Sequence, residues 1–166
     1  MAARTDLNGI KTAIKALFDA ANTTTASPID LSSNVAKRVQ KVLTVHPEFI
    51  RPQASFFPFV TCYVDEKQID ADQIAGNQLN ANRMSDLTIN IVGAVFNANL
   101  NTVTDDPADT DINYLMENIE LVLRSSPNLS GTVKWQRPTG INYFSNQDLK
   151  GHIRYGVLSL TAKVNY

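Results

Sequence analysis

The chain has 166 residues, of which 43% are hydrophobic and 19% charged, a length and composition typical of one soluble domain with a substantial core. Its formal net charge of −1 gives no indication of binding to nucleic acid or to an anionic membrane surface. No apolar run is long enough to cross a bilayer, and the single cysteine, Cys62, excludes an intrachain disulfide.

The first predicted element is an amphipathic helix near the N-terminus. Its apolar residues recur at steps of three and four and so share one face. Thr5 or Asp6 can cap its start. The residues 22–34 that follow are polar and include Pro28, so we predict a loop there. The apolar face of the helix consists of Leu7, Ile10, Ile14, Leu17 and Ala21.

The next segments contain one ambiguous and one clear strand pattern. Residues 35–45 fit either a strand or a helix, and their high valine content favours a strand. Residues 56–64 are β-branched and aromatic and predict a strand, with Pro58 at its start or at a sheet edge. The polar residues 65–83 predict an extended arm or a long loop.

The middle of the chain combines the clearest strand with the clearest helix. Residues 87–96 alternate apolar and polar side chains as far as Val92, beyond which both faces are apolar. We therefore expect helices on one face of this strand and a partner on the other. Residues 111–124 predict an amphipathic helix with an acidic start. Its apolar stripe consists of Ile112, Leu115, Met116, Ile119, Val122 and Leu123.

The C-terminal third predicts strands separated by turns. Residues 132–136 predict a short strand, residues 138–140 (Pro-Thr-Gly) a turn, and residues 145–152 a loop. Residues 153–164 alternate well and predict a strand that ties this end of the chain into a sheet. Together the elements indicate one α+β domain over residues 1–166. Its sheet is expected to be mostly antiparallel or mixed, with two amphipathic helices packed on one face.

No segment carries the signature of an active or ligand site. His46, His152 and Cys62 are too few and too scattered in sequence for a metal or a catalytic triad. The acidic residues 105–111 lack the central glycine and the closing glutamate of a calcium loop. Glycine-rich nucleotide loops and a nucleophile elbow are also missing, and the aromatic strand lacks the pattern of an RNA recognition motif. We therefore predict no enzyme activity, no cofactor and no metal.

The order of the elements resembles the tail terminator (tail completion) proteins of long-tailed bacteriophages. The residues that carry the resemblance are the helix LNGIKTAIKALFDAA, the short strand RVQKV, and the strand PFVTCYV before a polar arm. They continue with the strand LTINIVGAVF, the helix INYLMENIELVL and the terminal strand LSLTAKVNY. The resemblance covers nearly the whole chain in element order, and it includes no catalytic or ligand motif.

The resemblance implies a structural virion protein that forms a hexameric ring, caps the tail tube, stops tube polymerisation and docks the head connector. The implied partners are further copies of the chain, the tail tube protein and the head connector or stopper protein. It implies no membrane and no specific nucleic-acid binding, although DNA would pass through the ring. The implied location is the tail or neck of the virion, after assembly in the host cytoplasm.

The residues themselves leave alternatives open. One is another neck, head-completion or minor tail protein of a phage. A different-class alternative is a small bacterial ligand-binding or catalytic α+β domain.

Charge is unevenly distributed along the chain. No Lys or Arg occurs between Arg83 and Arg124, and basic segments flank this acidic block. Solubility alone accounts for such a pattern, and so do complementary faces between neighbouring subunits. On the second interpretation, the acidic loop 101–111 meets a basic surface of a neighbouring copy or of a connector subunit. The candidate interface residues are Lys37, Arg38, Lys41, Asp105, Asp106, Asp109 and Asp111.

Overall fold

A computed structural model describes residues 6–22, 29, 38–51, 53–69, 84–98, 107–148 and 151–165. These residues form an α+β fold, the class that the sequence predicts. The helices are α1 (Leu7–Ala21) and α2 (Pro107–Arg124). The strands are β1 (Lys41–Leu43), β2 (Phe59–Ile69), β3 (Met84–Asn97), β4 (Trp135–Asp148) and β5 (Gly151–Asn165). Short 3₁₀ turns lie at Pro47–Phe49, Ala54–Phe56 and Leu129–Gly131.

The five strands form one mixed sheet in the order β1-β2-β3-β5-β4. β1 runs parallel to β2, and every other neighbouring pair is antiparallel. The strand that comes last in the chain, β5, therefore lies between β3 and β4. β1 and β4 occupy the two outer positions of the sheet. Both helices pack on the same face, as predicted.

α1 begins at a side-chain cap and ends at a contact with the segment before β1. The Asp6 carboxylate accepts a hydrogen bond of 3.0 Å from the backbone N–H of Asn8, which confirms Asp6 as the cap. At the other end, the Asn22 side-chain amide donates to the Val39 carbonyl at 2.8 Å. The apolar face of the helix contributes Ile10, Ile14 and Phe18 to the core, with Leu7, Leu17 and Ala21 partly buried beside them.

α2 packs across the middle of the sheet. β3 and β5 place two glycines directly opposite each other, Gly93 and Gly156. A Cβ atom at Gly156 would lie 2.3 Å from the Cγ of Met116, and one at Gly93 would lie 2.8 Å from its Sδ. The glycine pair therefore leaves the space in which Met116 is buried. The predicted stripe is confirmed, since Ile112, Leu115, Met116, Ile119, Val122 and Leu123 are all buried.

The opposite face of the sheet is covered in part by aromatic residues of the same chain. Val92 and Ala94 point to this face and are buried. The Phe57 ring lies 5.2 Å from the Phe59 ring and 5.6 Å from the Phe96 ring. Phe59 is the ladder partner of Ala94, so this cluster lies at the apolar end of β3. The apolar character on both faces of β3 therefore arises from intrachain packing, where we expected a partner.

β1 and β2 differ in length from the predicted strands. Only residues 41–43 of the ambiguous segment pair with β2, and residues 35–37 lie outside the described residues. β2 begins at Phe59, directly after Pro58 and three residues later than the predicted start at residue 56. It continues through residues 65–69, of which 66–69 pair with β3. The predicted arm is therefore wrong for residues 65–69. Its remainder, residues 70–83, lies outside the described part of the chain, as does most of the predicted loop 22–34.

The turn predicted at residues 138–140 is wrong, because these residues lie within β4. Pro138 pairs with Leu160 and Gly140 pairs with Ser159, so Thr139 is an extra residue at a β-bulge. Its hydroxyl donates to the Ser159 carbonyl at 3.0 Å. The proline is tolerated because β4 occupies an outer position of the sheet.

The loop predicted at residues 145–152 is also largely wrong. Residues 145–148 end β4 and residues 151–152 begin β5. Residues 149–150 lie outside the described residues. The last strand is confirmed, since Leu158, Leu160, Ala162 and Val164 are buried on the helix side.

The glycine at the helix–sheet contact leads to the first prediction. Gly156→Ala should lower the free energy of unfolding by about 1–3 kcal/mol, because the added methyl group overlaps the Met116 side chain. Urea unfolding followed by circular dichroism measures this change. Gly140→Ala is the matched control, since a Cβ there meets no atom within 4 Å. A Gly156→Ala variant as stable as the control would contradict this account of the packing.

Candidate interaction surface

His46 has a structural role in the turn that follows β1. The ring centroids of His46 and Tyr63 lie 4.3 Å apart. The Nδ1 atom of His46 accepts a hydrogen bond of 3.3 Å from the backbone N–H of Glu48, which caps the 3₁₀ turn. Within the described ranges, no three His, Cys, Asp or Glu side chains converge on a point where a metal ion could bind. Neither α1 nor α2 has the length and apolar content of a membrane-spanning segment.

Cys62 lies in the core between β2 and α1. Its side chain is 1% exposed, and its Sγ lies 3.7 Å from the Lys11 carbonyl oxygen. Burial raises the pKa of the Cys62 thiol to about 12, although Lys11 and Lys15 partly oppose the shift. A protonated, inaccessible thiol is a poor nucleophile and a poor metal ligand.

The basic candidates lie at the β1 end of the sheet. Lys41 is the first residue of β1 and is exposed, with its Nζ 5.9 Å from the centre of the Phe56 ring. Arg38 precedes β1 and is half-buried. Lys37 lies outside the described residues. Lys41 is therefore the basic candidate that the structure places most openly on the surface.

The acidic candidates lie at the start of α2, on the side of the sheet occupied by β5 and β4. Asp109 is exposed, and its Oδ1 lies 3.4 Å from a guanidinium nitrogen of Arg154 on β5. Asp111 is half-buried in the same turn. Asp105 and Asp106 lie outside the described residues.

The acidic surface continues along α2 beside the outer strand. Partial burial, followed by the carboxylates of Glu117, Asp109 and Glu120, raises the pKa of Tyr143 on β4 above its ordinary value. Glu120 also lines a cleft with residues 138–141, so this side of α2 lies close to the outer edge of the sheet. The sequence indicates the acidity of loop 101–111, and the structure adds Glu117 and Glu120 to the same side of α2.

Within one copy the structure separates the two candidate groups. Lys41 belongs to the outer strand at one end of the sheet order, whereas Asp109 lies near Tyr143 on the outer strand at the other end. An attraction between these groups would therefore act between two copies or between this chain and a partner. Such an arrangement is heterologous, because the two contacting surfaces differ.

Two further features of the surface were not predicted from the sequence. Beside β2 lies a groove of about 400 Å³, lined on the helix side by Leu7, Asn8, Lys11 and Val64 and on the other side by Thr44, Val45, His46, Phe49 and Tyr63. Beside β4 lies a smaller cleft of about 270 Å³, where Glu120 and Arg124 of α2 face residues 138–141. The sequence contains one weak signal for the groove, which is Phe49. It lies two residues after Pro47, where a phenylalanine suits an exposed turn as well as a core.

The burial of Cys62 leads to the second prediction. In the folded protein at pH 8, this thiol should react with a maleimide at least about 100-fold more slowly than in denaturant, because burial keeps it protonated. A Leu121→Cys variant is the control, since residue 121 is exposed and its thiol should react quickly in the folded state. Equal rates for the two thiols would contradict the burial of Cys62.

The same thiol also makes stability depend on pH. Its pKa is near 9.0 in the unfolded chain and about 12 in the folded protein, so the unfolded chain loses the proton first. The free energy of unfolding should therefore be independent of this thiol below about pH 9. It should decline as the pH rises towards 12, because over this range the thiol ionises in the unfolded chain and not in the folded protein.

Comparisons with known proteins find similarity among solved structures and none among protein families or curated sequences. The chain matches no protein-family model and no curated protein sequence. Among solved structures, it is similar to a chain of the virion of a native gene transfer agent particle. The TM-score is 0.38 at 12% sequence identity, and the alignment covers 98% of this chain and 100% of that chain. No functional conclusion rests on a likeness at this level.

Proposed function

We propose that this chain is a structural virion protein of a long-tailed bacteriophage, and specifically the single-domain subunit of a tail terminator. Six copies would form a ring on the end of the tail tube. The ring would stop the addition of tube subunits and offer the surface to which the head connector docks. Its place would be the junction between tail and head.

The observation that carries this proposal is the difference between the two ends of the sheet. One end has exposed Lys41 on β1. The other has Asp109 and Glu120 of α2 beside β4, each already paired with an arginine of the same chain, Arg154 and Arg124. A closed ring needs two unlike surfaces that fit each other, whereas a two-fold dimer uses the same surface twice. Opposite charges at opposite ends of one sheet provide such a pair.

The charged contact is expected to contribute specificity more than affinity. An exposed ion pair contributes about 0.2–1 kcal/mol, and salt screens it. Asp109 already pairs with Arg154 in its own chain, so a neighbouring cation would share this carboxylate. We therefore propose that Lys37, Arg38 and Lys41 orient a neighbouring copy or connector subunit towards Asp105, Asp106, Asp109 and Asp111. Apolar contacts must supply most of the binding energy.

The third prediction tests the role in the tail. Phage that lack the gene should assemble tails longer than normal that fail to join heads, because nothing stops the addition of tube subunits. Electron microscopy of lysates measures tail length and head attachment, and the gene supplied in trans should restore both. Tails of normal length with defective heads would indicate a head-side protein. Normal, infectious particles would indicate a protein outside the virion.

The fourth prediction tests the charged contact. Replacing Lys37, Arg38 and Lys41 together with Glu should weaken ring formation at least about tenfold, because three attractions of up to about 1 kcal/mol each become repulsions. Native mass spectrometry measures the ring, and head joining is scored in the same variant. Thermal unfolding confirms that the variant folds. The control is Lys134→Glu with Arg137→Glu, two exposed basic residues near the start of β4. Normal rings and normal joining by the triple variant would exclude the contact.

A further inference from the structure

The sheet has an open edge at each end of its strand order. β1 pairs with residues 59–61 of β2, so no described strand continues along the outer side of residues 62–69. At the other end, β4 pairs with β5, and no strand of the described residues lies along its outer side. An open edge presents unpaired backbone N–H and C=O groups, to which a further strand can bind.

β4 is protected over its first half and unprotected over its second. The backbone N–H of Gln136 donates to the Pro127 carbonyl at 2.7 Å, which covers the start of the edge. Pro138 and the bulge at Thr139 then interrupt it, and both features discourage pairing with another strand. Residues 141–146 that follow (Ile-Asn-Tyr-Phe-Ser-Asn) carry no charge. The unprotected half of the edge is therefore suited to a specific contact.

That half of β4 also presents an aromatic side chain on each face of the sheet. Tyr143 pairs with Gly156 and so points to the helix side, while Phe144 pairs with Tyr155 and points to the other side. Their side chains are 48% and 56% exposed. Large apolar side chains on both faces of an open edge are costly in water, and a second strand with flanking apolar surface would cover them.

The open edge of β2 has such flanking surface. The groove beside it is bounded by Leu7 and Lys11 of α1 on the helix side, and by Val45 and Phe49 on the other side. Phe49 is 80% exposed. An incoming strand would therefore meet apolar side chains above and below the plane of the sheet, as Tyr143 and Phe144 require.

Strand direction allows the two edges to join without reversing the subunit. β3 is antiparallel to β2, β5 to β3, and β4 to β5, so β4 runs antiparallel to β2. If a second copy continues the sheet with its helices on the same side, its β2 would meet the first copy's β4 in antiparallel orientation. The ladders place Phe144 level with Phe59 rather than with residues 62–69, so the next copy must also shift along the strand direction, and successive copies can then repeat this shifted contact.

The charges on the helix side also match across this junction. Asp109 pairs with Arg154, the ladder partner of Ser145, and Glu120 faces residues 138–141, so both lie beside the edge of β4. Lys11 lines the groove beside β2, with Lys15 one turn further along α1. In a continued sheet, α2 of one copy and α1 of the next would place these opposite charges on the same face.

We propose that copies of this chain associate head to tail by strand addition, with the second half of β4 in one copy pairing along the open edge of β2 in the next. Tyr143 packs against the start of α1 of the neighbour, and Phe144 packs on the side of Tyr63 and Phe49. The occupant of the edge is thus a second copy. This contact would join the subunits of the proposed ring. It rests on the proposed function only for the number of copies in that ring.

Cysteine cross-linking of the purified full-length chain tests this contact. Phe144 and Glu66 point to the same side of the sheet, because Glu66 pairs with Thr88 on the face opposite the helices. A Phe144→Cys, Glu66→Cys double variant treated with a short bis-maleimide at high protein concentration should give a ladder of linked multimers. Buried Cys62 should not react. The control pair is Phe144→Cys with Leu121→Cys, which should give no ladder beyond the dimer.

Each other outcome would overturn the proposal. A dimer without a ladder, formed equally by Phe144→Cys alone, would indicate β4 pairing with β4. Linking only after tail tube protein is added would indicate a strand of that protein on the edge. If the chain stays monomeric and unlinked at every concentration, no such contact exists.

A second variant separates the strand contact from the fold. Tyr143→Lys with Phe144→Lys should reduce the ladder at least about tenfold, because edge lysines oppose strand addition. Leu121→Lys should leave it unchanged.

The outcomes of the two assays separate the contact from the tail role. If the ladder forms but deletion of the gene leaves tail length unchanged, the contact is retained and the tail role is rejected. The reverse result would retain the tail role and place the subunit contact elsewhere.

Discussion

The contact between α2 and the Gly93–Gly156 pair is the constraint on which the rest of the fold depends. Two glycines side by side on neighbouring strands leave a hollow in the sheet, and Met116 occupies it. This contact fixes where α2 crosses the sheet, and hence where its polar side lies relative to β4. The position of Glu117 and Glu120 beside the outer strand therefore follows from the packing of Met116, on the same helix, into this hollow.

The parts of the fold that the sequence predicts well are those in which one face is buried and the other is not. The α2 stripe and the alternation of β5 are of this kind, because burial against a single layer imposes a clear period. β1 and the end of β2 lack such a period. Residues 65–68 are polar and lie in the part of β2 that β1 does not cover, where no packed neighbour imposes an apolar period. Pro138 is predicted to lie in a turn because proline is excluded from the middle of most strands. Only an outer strand, such as β4, tolerates it there.

The candidate contact residues could be predicted in part. The imbalance of charge along the chain is visible in the sequence, and the structure places Lys41 and Asp109 at opposite ends of the sheet. The function of this charge imbalance cannot be predicted from one chain. The basic and acidic groups lie at opposite ends of the sheet and would meet only across two molecules. The groove beside β2 was missed because its lining comes from α1, the segment after β1, and β2 itself. No local pattern joins residues so distant in sequence.

The central position of β5 has a consequence for how the protein is made. β4 depends on β5 for its described ladder, and β3 depends on β5 for one of its two, yet β5 emerges from the ribosome after them. Until β5 is synthesised, α2 lacks the part of its packing surface that Leu158 and Leu160 form, and one edge of β3 is unpaired. Most pairings of the sheet are therefore long-range, which favours slow folding and a late, cooperative closure. A chain stalled during synthesis before β5 would expose additional strand edges, and it would be more prone to aggregation than the finished protein.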